Sequence, residues 1–129
     1  MPIPVTLLYG GICTLLLTAL GGYVSMLRLR LGVSMGKEPP PELVRPIRAH
    51  GNAAEWVPLG ILLLAMLEVS GVAPLSLHVM GGTLVLARVF HAAGALLKNR
   101  LTMVAATLTY CLMTGMGGWS VWLHFASAR

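Results

Sequence analysis

Charge is the scarcest property of this sequence. Only 10% of its 129 residues are Asp, Glu, Lys or Arg, while 57% are apolar. A soluble domain is about a quarter charged, and the mean hydropathy of +0.82 likewise excludes water as the main solvent. Acidic residues are rarest, four against nine bases, for a formal net charge of +5. In a soluble chain that surplus would suggest nucleic acid. Here the bases gather near expected helix ends and read as signals of membrane orientation, so no nucleic-acid partner is expected.

Cysteine is nearly absent. Cys13 and Cys111 lie deep within apolar runs, which excludes a disulfide framework and makes both expected packing residues. There is no His-x-x-x-His spacing and no second carboxylate close enough in sequence to suggest a metal site, so none is expected. A phosphate-cradling glycine loop is missing too. Residues 1–27 carry no charge, so the basic n-region of a signal peptide is lacking and the segment is expected to stay as a helix.

Long apolar runs are what the sequence has. A bilayer core of about 30 Å takes roughly 20 residues per helix, so four spans fill this chain and leave only short connections. The expected architecture is all-α: a single transmembrane domain, residues 1–129, folded as an integral membrane four-helix bundle. Its helices are expected at about 4–31, 42–69, 75–97 and 100–127. Proline suits the start of the first, and the three prolines 39–41 end the loop after it. Gly11, Thr14, Thr18, Gly21 or Gly22, and Ser25 form a small-residue stripe on helix one that would admit another helix closely. Asn99 is expected to cap helix four. Seven of nine bases (Arg28, Arg30, Lys37, Arg45, Arg48, Lys98, Arg100) fall on one side. By the positive-inside tendency that side is cytoplasmic, placing both termini outside.

Ionisable groups inside a membrane helix are costly enough to suggest function. Arg45, Arg48, Asn52 and Glu55 are spaced i, i+3, i+7, i+10 and share one face of helix two. Guanidinium forks, an amide and a carboxylate together match a zwitterionic ligand with several carboxylates. They equally match a structural network running from Arg48 to Glu55 through Asn52. Arg88 and His91 share a face of helix three; Arg88 could pair with Glu55 or Glu68, and His91 could be a satisfied interior ring. Arg100, in the first turn of helix four, could hold a thiolate together with the helix dipole, or could be a snorkelling topology signal.

The segment ELVRPIRAHGNAAEWVP (42–58) resembles the signature of the membrane-associated proteins in eicosanoid and glutathione metabolism, the MAPEG family. Its Arg-Ala-x-x-Asn-x-x-Glu core, followed by an aromatic and a proline, falls here on Arg48, Ala49, Asn52, Glu55, Trp56 and Pro58. ARVFHAAGALLKNRLTM (87–103) is similar to bacterial members. The resemblance implies a homotrimer that binds glutathione as co-substrate between subunits and acts on lipophilic small molecules drawn from membrane lipid. Arg28, Arg30, Arg45, Arg48, Asn52, Glu55, Trp56, Arg88 and His91 become expected glutathione-site residues, with Arg100 the expected catalytic cation. The implied activity is a glutathione transferase or peroxidase of detoxification in a bacterial inner membrane; a non-catalytic scaffold of the same fold is the alternative. The sequence departs from the family pattern at Trp56 and Ala95, where tyrosines are common.

Overall fold

A computed structural model describes residues 2–34, 36 and 38–127. It contains four helices, α1 (Pro4–Leu31), α2 (Pro41–Val69), α3 (Pro74–Leu97) and α4 (Leu101–Ser127). All four are long and apolar enough to cross a membrane. Lys37 and Arg129, two of the bases used for orientation, lie outside the described residues.

α2 and α3 pack on each other at the centre, α1 packs on both, and α4 lies mainly along α3; among the described residues the backbones of α1 and α4 stay apart, though Val5 and Met116 share one core cluster. The outward faces are large and apolar, with Leu15 at 72% exposed and Met103 at 73%. That is tolerable in lipid and not in water. Inside the bundle, lipid and leucine being equally apolar, close packing rather than transfer from water holds the helices together. The far end is filled by large side chains, Leu64, Leu67, Leu77 and Met116. At the basic end the core narrows to Leu20 and three alanines, Ala49, Ala53 and Ala92. Small residues there bring the helices close and leave the polar side chains beside them facing outward.

Prolines begin three helices at their first position, where a missing N–H costs nothing. Pro46 and Pro58 sit inside α2 and leave the carbonyls of Glu42 and Ala54 without their i+4 donors. α1 is capped from a distance. Glu68, at the end of α2, accepts the Val5 N–H at 2.9 Å and the Thr6 N–H at 2.7 Å, so one carboxylate satisfies two orphan donors at a helix N-terminus.

Three local expectations change. The small-residue stripe on α1 is exposed at Gly11, Thr14, Thr18, Gly22 and Ser25; within the protomer only Gly21 of that stripe serves close approach, against the His50 ring. Cys13 is buried as expected, but Cys111 is exposed, because α4 buries only the face carrying Ala105, Thr109 and Met116. α4 starts one residue late: the Arg100 carbonyl accepts the first helical bonds, and Asn99 Oδ1 accepts the Leu101 N–H at 3.1 Å.

Candidate functional site

The polar half of α2, the last turn of α3 and the first turn of α4 enclose a cleft of about 600 Å³ at the basic end of the bundle. Helical spacing puts Arg45, Arg48, Asn52 and Glu55 along one wall. The residues between them, Ala49 and Ala53, are buried and anchor that face against the bundle. From α3 come His91, Gly94 and Ala95, from the turn beyond it Lys98 and Asn99, and from the first turn of α4 Thr102.

The turn is held by a dense set of backbone contacts. Lys98 adopts a left-handed conformation (φ 58°, ψ 40°) at the C-terminus of α3 and directs its N–H to the Gly94 carbonyl. The Asn99 N–H reaches the same oxygen at 3.2 Å. This is the geometry in which glycine usually closes a helix. Lysine there is strained, by about 1 kcal/mol relative to glycine, and it places an ammonium on the cleft. Among the described residues Lys98 is the sole non-glycine with positive φ. Gly94 is required for a different reason. A β-carbon on it would lie 2.6 Å from Thr102 Oγ1 and overlap the Thr102 backbone nitrogen.

Of the ten site residues expected from sequence, the cleft gathers Arg45, Arg48, Asn52, Glu55 and His91. The other five stand elsewhere in the protomer. Arg28 and Arg30 end α1, which does not border the cleft. Trp56 packs edge-to-face on Tyr110 with ring centroids 5.1 Å apart. Arg100 is exposed and off the cleft wall, and it precedes the first turn of α4 rather than lying in it. Arg88 is 1% exposed and pairs with neither Glu55 nor Glu68. It donates from Nη1 to Asn52 Oδ1 at 2.8 Å and from Nη2 to Thr109 Oγ1, while its Nε has no partner. Asn52 is therefore tied to α3, not strung between Arg48 and Glu55. Lys98, Asn99 and Thr102 were not expected on the site. The signal for them was available, since the α3–α4 turn lies on the same side of the membrane as the polar start of α2.

The cleft carries three fixed cations, Arg45, Arg48 and Lys98, one carboxylate, Glu55, and a titratable ring. Such a set can pair with carboxylates through its cations and with a cationic group through Glu55. A family model described as MAPEG family matches residues 6–122. The chain belongs to the MAPEG family. Every cleft residue falls within the MAPEG match. The inner membrane protein YecN of Escherichia coli K12 is 34% identical to it over 90 residues, 70% of this chain and 69% of that protein. YecN of Escherichia coli O6:H1 gives the same figures. The four spans and this membership make it an integral, multi-pass membrane protein.

Proposed function

We propose that the protein is a membrane-bound glutathione transferase or peroxidase, assembled as a homotrimer in a bacterial inner membrane with its termini outside the cytoplasm. The cleft supports this reading above all: Arg45, Arg48 and Lys98 can hold two carboxylates, Glu55 can accept an ammonium, and the amides of Asn52 and Asn99 can pair with peptide groups. Glutathione has that inventory. It would arrive from water at the polar end of α2, while a lipophilic electrophile or hydroperoxide would arrive through lipid, the two meeting at high effective concentration.

An ultraviolet difference spectrum on adding glutathione to the purified protein tests the reading. A saturable thiolate band at neutral pH is expected. Binding heat without that band would make the protein a non-catalytic glutathione-binding scaffold; neither signal would end the proposal.

Within the protomer the cation nearest the task of holding the thiolate is Lys98 rather than Arg100. It stands beside the N-terminus of α4, where Asn99 and Thr102 also reach the cleft, and charge and helix dipole act together on an anion. Lys98→Gly should relieve the left-handed strain and raise the melting temperature, yet move the ionisation of bound thiol up toward the free value of about 8.5. Arg100→Leu should leave that ionisation in place. The pH profile of kcat/KM for conjugation of a chlorinated nitrobenzene, from about pH 5.5 to 9, distinguishes the two variants.

A further inference from the structure

Arg88 is a buried cation in the middle of a membrane bundle, and its side-chain partners are neutral. Thr109 has spent its one donor: its hydroxyl donates to the Ala105 carbonyl at 2.8 Å and accepts from Arg88. Asn52 is half committed. A guanidinium can only donate, so the atom facing Arg88 at 2.8 Å must be the Asn52 oxygen, and the branch left for the cleft is the NH2. We infer that Arg88 is a positioning residue that locks Asn52 as a hydrogen-bond donor toward the cleft, so that the ligand atom opposite it must be an acceptor.

An aspartate at position 52 would fit the same space and would give Arg88 the counter-charge it lacks. It would also turn an acceptor toward the ligand. The asparagine is thus less stabilising for Arg88 than its isostere and is explained by what it presents on its other side. The unpartnered Nε, buried with the rest of the side chain, fits this account: two of the guanidinium's nitrogens are spent on orientation, and none on a charge. In its ligand the inference rests on the glutathione reading; in its protein half it does not.

The experiment compares Asn52→Asp in the wild-type and Arg88→Met backgrounds. With Arg88 present the aspartate completes an ion pair and the melting temperature should rise; with methionine at 88 a half-buried carboxylate loses that partner and the melting temperature should fall. The single Asn52→Asp protein, folded and more stable, should bind glutathione at least about tenfold more weakly, the loss expected for a missing hydrogen bond to a charged or carbonyl group. A fall in melting temperature of similar size in both backgrounds would overturn the lock, and unchanged affinity of Asn52→Asp for glutathione would overturn the donor assignment. If the wild-type protein bound no glutathione, the proposed function would fail, and the sign reversal in melting temperature would still decide the role of Arg88.

Discussion

Arg48→Ala should weaken glutathione binding by about 2–3 kcal/mol, or roughly 30- to 150-fold, while the bundle keeps its stability. Arg48 is exposed on the cleft wall and holds up none of the core. The buried hydrogen bonds of that region belong to Arg88, Asn52 and Thr109 instead. Removing the Arg48 fork leaves a ligand carboxylate without its bidentate partner. Arg48→Lys should recover part of the loss, since it restores the charge but not the planar fork. Calorimetric titration with glutathione, alongside thermal unfolding in the same detergent, reads both halves of the expectation. Wild-type affinity in the alanine variant would remove α2 from the binding site.

Gly94→Ala should be the most damaging single methyl addition at the site, costing about 3 kcal/mol from overpacking and more if the Asn99 cap is lost with it. The obstacle is the backbone nitrogen of Thr102, with Asn99 Oδ1 at 3.1 Å behind it. A flexible side chain could swing aside; a helix N-terminus cannot. To admit the methyl, α4 must move off α3, and the cleft wall carrying Lys98, Asn99 and Thr102 moves with it. Both the melting temperature and glutathione affinity should therefore drop together. Gly22→Ala is the control: that glycine is exposed, a β-carbon on it meets nothing within 4 Å, and alanine is the better helix former, so stability should hold or rise slightly.

The spans were legible because apolar length and proline punctuation are local properties. α2 and α3 begin one residue earlier than expected because Pro41 and Pro74 occupy first helical positions, the rule already applied at Pro4. The polar face of α2 was legible for the same reason: four residues at helical spacing share a side whatever surrounds them. Arg88 was not. Its spacing to His91 puts both on one helix face, yet His91 reaches the cleft while Arg88 turns inward to α2 and α4, a choice made by neighbouring helices. Only the family resemblance brings Arg28 and Arg30 to the site, and their place depends on where α1 packs, which no spacing within α1 reveals. In the sequence Lys98 reads as a topology charge, since its left-handed backbone emerges only from the closure of the α3–α4 turn.

The carboxylate that caps α1 stands more than sixty residues further along the chain. A ribosome delivers the start of α1 into the membrane long before it delivers Glu68. Until then the Val5 and Thr6 amides must be met by water or lipid headgroups. Once α2 has crossed, its far end returns to the side where α1 began, and Glu68 closes the pair. A single residue in the last turn of α2 thus works as a latch: the start of α1 and the end of α2 are held at one level by one carboxylate.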